Sequence, residues 1–123
     1  MERVFALYRL THGSEGPHDL LDALRSATTI PAGEPGCRSS SIWREADGSG
    51  AVLLMEEWDS PREMERHMTG PVFRRLLAVL ELSRTPPEIR YVQGSLLRGV
   101  DWMTQVLGPH SGEPGEPQQE RGR

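Results

Sequence analysis

The sequence predicts an α+β protein in which one antiparallel sheet carries helices on one of its faces. Three observations predict this class. Short apolar segments rich in β-branched and aromatic residues alternate with segments whose apolar residues recur at helical spacing. Clusters of turn-forming residues separate them, as at residues 31–36 and 46–50. A chain of 123 residues suffices for a single domain with one hydrophobic core.

The first three elements are a strand, a helix and a second strand. Residues 4–10, VFALYRL, are predicted to form a buried strand because they are mostly apolar and too few for an independent helix. Residues 18–30 are predicted to form an amphipathic helix that residues 31–36 terminate. Its apolar face comprises Leu20, Leu21, Leu24 and Ala27. Residues 37–44, CRSSSIWR, follow as a second strand, although three serines weaken its apolar pattern.

The second half repeats the order of strand, helix and strand. The Asp-Gly turn within residues 46–50 predicts a hairpin whose return strand is 51–58. A short helix over 61–68 and a longer one over 71–83 come next, and 88–97 is the final strand. The apolar stripe of the longer helix is predicted to comprise Val72, Phe73, Leu76, Leu77 and Leu80. The resulting β-α-β-β-α-β order, with antiparallel strands, is typical of ferredoxin-like domains.

Residues 1–97 therefore form the predicted domain, and two further segments follow it. Residues 98–107 are predicted to include an additional helix, because four apolar side chains lie near one face. Residues 108–123 combine four glycines and three prolines with no large apolar side chain, which predicts a disordered tail.

Composition and charge exclude several classes of function. The net charge is −4 and the basic residues are scattered, so a nucleic-acid partner is not expected. No apolar segment is long enough to span a membrane, and the N-terminus lacks the pattern of a secretory signal. A single cysteine, Cys37, fits a reducing compartment, and the protein is expected in the cytoplasm. The four histidines show no metal-binding spacing, so no metal is expected.

The composition of two strands predicts self-association. Residues 4–8 and 52–55 are apolar at every position, whereas a sheet with one solvated face should alternate apolar and polar residues. We therefore expect the second face to be covered too. A homodimer in which two sheets face each other across an apolar cavity is the simplest cover for so small a chain.

His67 is the one residue in its segment that the architecture does not require. Ser60 is suited to cap the helix over 61–68, Pro61 suits its first position, and Gly70 ends it. His67 lies near the end of that helix. It could be an exposed polar residue, a buried histidine bonded to backbone, or a pocket residue that acts on a ligand.

Two segments resemble the antibiotic biosynthesis monooxygenase domain family. VLLMEEWDSPREMERHMTGPVFRRL, residues 52–76, has a strand ending in Glu-Trp, a short helix, a histidine, and then a small residue and phenylalanine before a long helix. EPGCRSSSIWRE, residues 34–45, resembles the family's Pro-Gly-Cys entry into its second strand. The resemblance extends over roughly residues 3–97.

The resemblance implies a dimeric α+β barrel and a cofactor-independent monooxygenase of phenolic, quinol or polycyclic aromatic substrates. The partners would then be a second copy of the chain, a small aromatic ligand and O₂. His67 would be the catalytic residue, either accepting a substrate proton or hydrogen-bonding the resulting anion. The expected substrate-binding residues are Tyr8, Trp58, Phe73 and Leu77.

Two alternatives follow from the same resemblance. The heme-degrading branch is disfavoured, because it has tryptophan at the position of His67 and its heme-ligating histidine at the position of Leu77. A non-catalytic dimer that binds a small hydrophobic or aromatic ligand remains open. Convergence of His67 with Tyr8 or Arg90 on a pocket would favour catalysis, and a His67 that points to solvent would favour binding alone.

Overall fold

A computed structural model describes residues 2–28, 33–95 and 99–108 of the chain. Its elements follow the predicted order, with the second helical region divided at Gly70 into two helices. They are β1 (Arg3–Leu10), α1 (His18–Thr28), β2 (Cys37–Arg44), β3 (Val52–Trp58), α2 (Pro61–Met68), α3 (Pro71–Leu80), β4 (Glu88–Gly94) and α4 (Val100–Leu107). The predicted tail, apart from Gly108, lies outside the described residues. So do the last two residues predicted for the first helix and for the final strand, and residue 98 of the additional segment.

The four strands form one antiparallel sheet in the order β2-β3-β1-β4. Strand β1 is central, with Val4 opposite Trp58 of β3 and opposite Gln93 of β4. The ferredoxin-like prediction is confirmed. Because β2 and β4 are both edge strands, the sheet of one chain stays open and does not form a barrel by itself.

The helices cover one face of this sheet, which we call the covered face. Alternate residues of β1 and β3 point to it and are buried, as their burial patterns show. These residues are Val4, Ala6, Tyr8, Leu10, Val52, Leu54, Glu56 and Trp58. Helix α1 packs against α3 above them and supplies the predicted face of Leu20, Leu21, Leu24 and Ala27. The period of two along each strand thus builds the core.

One residue of the predicted α3 stripe is placed differently. Leu77, predicted to be buried, is 45% exposed. Val79, which the predicted stripe did not include, is buried instead. The reason is geometric: the buried stripe centres on Leu76, and each residue advances by about 100° around a helix. Val79, three residues on, returns to that side, whereas Leu77 turns towards solvent.

The other face of the sheet, which we call the open face, has none of the described helices packed over it. Its centre is apolar, and the strand register places the following side chains there: Phe5, Leu7, Trp43, Leu53, Met55 and Val92. Ion pairs lie around this centre, between Arg3 and Glu57 and between Arg9 and Glu45. An apolar centre within a charged margin resembles the composition of a protein–protein interface.

Helix α4 occupies the range predicted for an additional helix and has no buried residue. Its five large apolar side chains, including Trp102, are between 43% and 71% exposed. No helix in the described part of the chain has the length and apolar character needed to cross a membrane.

Candidate functional site

The site is built at the corner where β3 passes into α2. Ser60 caps α2, since its Oγ accepts a hydrogen bond from the backbone N–H of Glu63 at 3.3 Å. Pro61 follows at the first helical position, as expected. The backbone N–H of Asp59 donates to the carbonyl of Gly36 at 2.7 Å, which ties the corner to the loop before β2. The corner is therefore fixed from both sides.

His67 projects from α2 into the interior and is only 3% exposed, which excludes the exposed polar residue among the three alternatives. Its Nδ1 lies 3.1 and 3.2 Å from the two carboxylate oxygens of Glu34. A carboxylate only accepts hydrogen bonds, so Nδ1 donates a proton to Glu34. In the neutral form of the ring this arrangement leaves Nε2 without a proton. That Nε2 is buried and has no hydrogen-bond partner among the described residues. A bare imidazole nitrogen of this kind can accept a proton.

Two aromatic side chains flank His67. The Trp58 ring lies over the imidazole with 4.4 Å between centroids and a tilt of 31°. Phe73, from the first turn of α3, meets it edge-on at 5.5 Å. Two of the four predicted substrate-binding residues therefore come together with His67 and supply its aromatic contacts.

The other two predicted substrate-binding residues lie elsewhere. Tyr8 is buried on β1, where its hydroxyl is 3.1 Å from that of Tyr91. Burial, assisted by this hydrogen bond and by nearby Glu56, raises the pKa of Tyr8 above its ordinary value. Leu77 is on the solvent side of α3. Arg90 pairs with Leu7 on the open face and so does not converge with His67.

Glu56 is a member of the site that the sequence reasoning missed. It is 3% exposed, and its Oε1 accepts a hydrogen bond from the Trp58 indole N–H at 3.1 Å. Its Oε2 is buried without a partner in the described part of the structure. Removal from water raises the pKa of Glu56, although the indole N–H and His67 act in the opposite direction. Alternation along β3 could have revealed it, because Glu56 shares a face with Leu54 and Trp58.

Glu34 was also missed, and no sequence signal indicates it, since 33 residues separate it from His67. It lies in the loop that enters β2. Gly36 in this loop has a φ of +87°, and a Cβ there would lie 2.6 Å from the Glu63 side chain. Glycine is thus required for the loop to approach α2. This close approach brings Glu34 to His67.

Cys37 begins β2 beside these carboxylates and is half-buried. Burial, followed in importance by the charges of Glu56 and Glu34, raises the pKa of its thiol to about 11. The thiol is therefore protonated at neutral pH and a poor nucleophile. These surroundings suit a structural role for Cys37.

A groove of about 300 Å³ lies between α2 and β4, next to the site. We call it the apolar groove, and most of its lining is Val4, Pro61, Met64, Met68, Tyr91 and Val92. His67 is not part of the lining. Tyr91 joins the groove to Tyr8 through the pair of hydroxyls. Within the described ranges no three His, Cys, Asp or Glu side chains are grouped so that they could hold a metal ion.

Residues 3–79 match the family model of the antibiotic biosynthesis monooxygenases. The chain belongs to this family. The matched region contains all residues of the site, including Glu34, Glu56, Trp58 and His67. A comparison with curated protein sequences finds no match.

Solved structures with the antibiotic biosynthesis monooxygenase fold are similar over three quarters or more of the chain. Rv0793 from Mycobacterium tuberculosis is 23% identical, with a TM-score of 0.68 over 79% of this chain and 98% of that one. A candidate antibiotic biosynthesis monooxygenase from Deinococcus radiodurans is 22% identical, with a TM-score of 0.68 over 78% and 96%. The cofactor-independent oxygenase SnoaB from Streptomyces nogalater, in a single-residue mutant form, is 18% identical, with a TM-score of 0.65 over 80% and 97%. At these identities the likeness shows a shared fold.

Proposed function

We propose that this protein is a cofactor-independent monooxygenase that acts on small phenolic, quinol or polycyclic aromatic substrates as a homodimer. One observation carries the proposal: a buried histidine, held through Nδ1 by Glu34, keeps a bare Nε2 between aromatic rings. Membership of the antibiotic biosynthesis monooxygenase family supports it, as does the structural likeness to a cofactor-independent oxygenase.

In this proposal His67 is the catalytic base. An electron-rich aromatic substrate loses a proton to Nε2, and its anion gives one electron to O₂. The resulting pair of radicals combines, and the peroxide anion takes back the proton from His67 to give a hydroperoxide. The reaction requires no cofactor because the substrate anion itself is the reductant. Glu34 is a positioning residue, since it holds the proton of His67 on Nδ1.

The predicted aromatic wall consists of Trp58 and Phe73 beside His67, with Tyr8 further along the sheet. Their rings suit a flat substrate and exclude water, which favours proton transfer to a neutral base. Leu77 has no place in this wall because it faces solvent.

The homodimer is proposed to form through the open face. Phe5, Leu7 and Leu53 are half-buried there, while Met55 is 40% and Trp43 56% exposed. A contiguous apolar patch of this kind on a small protein is typical of an interaction site. Members of the antibiotic biosynthesis monooxygenase family are typically dimers.

The apolar groove favours a second candidate function, in which a dimer binds a small hydrophobic or aromatic ligand without chemistry. Its side chains are mostly apolar, and the base is not among them. A ligand bound only there would not meet Nε2 of His67.

The test measures O₂ consumption with naphthalenediols and anthrones by wild-type protein, His67→Ala and Trp58→Ala. We expect at least a hundredfold lower rate for His67→Ala, within the usual range for loss of a general base. His18→Ala is the control, because His18 is exposed at the start of α1. Unchanged rates in both site variants would remove these residues from the mechanism. Saturable ligand binding by wild type without O₂ consumption would instead establish the second candidate.

A further inference from the structure

Glu56 interacts electrostatically with several titratable side chains on the covered face. The titratable groups around it come from four parts of the chain: Tyr8 on β1, Cys37 on β2, His67 on α2 and Glu34 in the loop before β2. The charge of Glu56 raises the pKa of Tyr8 and of Cys37. On the pKa of Glu56 itself, His67 has a lowering effect and Glu34 a raising one. No ion pair in the described ranges includes Glu56.

Trp58 connects Glu56 to the base. Its indole N–H donates to Oε1 of Glu56 at 3.1 Å, while the same ring packs against His67 at 4.4 Å. Each of the two residues also has one buried atom without a hydrogen-bond partner, Oε2 in Glu56 and Nε2 in His67. The two atoms thus belong to side chains that both contact Trp58, one through a hydrogen bond and the other through ring packing.

The chemical natures of these two atoms are complementary. Nε2 of His67 is an acceptor in the neutral ring that donates from Nδ1 to Glu34. Oε2 of Glu56 is a donor when the carboxyl is protonated, and a buried carboxyl without a cationic partner favours that form. Titratable groups whose surroundings favour opposite protonation states are suited to act as acid and base in one reaction.

We propose that Glu56 is a second catalytic residue of this site, the acid that protonates the departing oxygen while His67 removes a proton. This role rests on the proposed oxygenase function and extends it to the step that follows O₂ addition. Sequence patterns gave Glu56 no role beyond its place in a strand.

The step begins with the hydroperoxide R₂CH–O–OH. Nε2 of His67 takes the proton on carbon, and the electron pair of that C–H bond forms the new C=O bond. The O–O bond breaks, and the departing hydroxide takes the Glu56 proton to become water. The protonated His67 then returns its proton to the Glu56 carboxylate. The carbon is oxidised to a ketone or quinone carbonyl, and the net reaction is R₂CH₂ + O₂ → R₂C=O + H₂O.

The experiment compares Glu56→Gln with wild type in assays for O₂ uptake, carbonyl product and organic hydroperoxide. Glutamine keeps the shape and the bond from the Trp58 indole but cannot supply the proton. We expect O₂ uptake to begin, hydroperoxide to accumulate, and the rate of carbonyl formation to fall about a hundredfold or more. His67→Ala should instead stop O₂ uptake. Glu81→Gln, an exposed carboxylate at the end of α3, is the matched control.

A second variant and a spectroscopic measurement complete the test. Glu56→Asp retains an acid and should recover part of the carbonyl formation, which a merely structural role would not predict. Infrared or carbon-13 spectra of the wild type should show a protonated carboxyl at neutral pH that Glu56→Gln lacks.

The outcomes separate the two proposals. Wild-type uptake of O₂ with a normal carbonyl yield from Glu56→Gln would overturn the role of Glu56 and leave the oxygenase function standing. An ionised Glu56 at neutral pH would also overturn it. Absence of O₂ uptake by the wild type would overturn the oxygenase function together with this role.

Discussion

The covered and open faces of the sheet use the same strands in opposite ways. Glu56 and Glu57 are neighbours in β3, yet Glu56 is buried with one oxygen unpartnered while Glu57 forms ion pairs with Arg3 and Arg38. The covered face thus holds a titratable carboxyl group in a core, and the open face holds apolar side chains towards solvent. Each face carries what is normally found on the other.

This difference indicates that one face of the sheet is suited to chemistry and the other to binding a partner. Buried polar groups without complete hydrogen bonding lower stability, and they persist where chemistry requires them. An exposed apolar centre lowers solubility and persists where a partner covers it. Paired substitutions on the two faces, or on one face and a helix, therefore test whether the faces differ in this way.

The largest effect is expected from truncation of the core. Leu54→Ala on the covered face should lower the free energy of unfolding by about 3 kcal/mol, because Leu54 is fully buried. Leu53→Ala, its half-buried neighbour on the open face, should cost about 1 kcal/mol or less in the monomer. Urea denaturation at low protein concentration measures both. Equal losses would contradict the assignment of the two faces.

A charge on the open face should weaken self-association by the next largest amount. Met55→Glu places a carboxylate in the apolar centre and should raise the dimer Kd about a hundredfold, or about 2.7 kcal/mol. Leu77→Glu is the matched control, since Leu77 is similarly exposed but lies on α3. Size-exclusion chromatography with light scattering measures the mass. A wild type that is monomeric at micromolar concentration would reject the dimer.

The smallest effect concerns the pH dependence of stability. The pKa of Glu56 is higher in the folded state than in the unfolded state. At a pH between these two pKa values the unfolded chain has lost the proton of Glu56, whereas the folded chain still holds it. Stability is therefore highest in acid with respect to this group and falls as pH rises, by at most about 1.4 kcal/mol per pH unit. Glu56→Gln should remove this fall in thermal or urea unfolding curves measured across pH.

Glu45 provides the opposite sign for comparison. Its hydrogen bonds with Arg9 lower the pKa of its carboxyl, so its contribution is present at neutral pH and is lost as pH falls through the lowered pKa. Glu45→Gln should slightly reduce stability at neutral pH and have no effect in strong acid. Identical pH profiles for Glu45→Gln and Glu56→Gln would show that the two faces do not differ electrostatically.

Periodicity predicted the order of the elements and most of their bounds because each repeats a short-range pattern. The resemblance to the antibiotic biosynthesis monooxygenases, and not periodicity, indicated Trp58, His67 and Phe73 as site residues, and the structure brings these three together. Leu77 was misplaced because two neighbouring positions on a helix edge differ little in sequence but face different sides. Glu34 could not be predicted, because its approach to His67 depends on a loop and on tertiary packing.

Most residues of the site lie close together in the sequence, within residues 56–73. Glu56, Trp58, His67 and Phe73 are separated by short stretches of chain, so bringing them together costs little loop-closure entropy. Glu34 lies in the loop that enters β2, so its contact with His67 depends on the pairing of β2 with β3. We therefore expect the aromatic packing around His67 to form early and locally, whereas the contact that fixes its proton forms only with the long-range topology of the sheet.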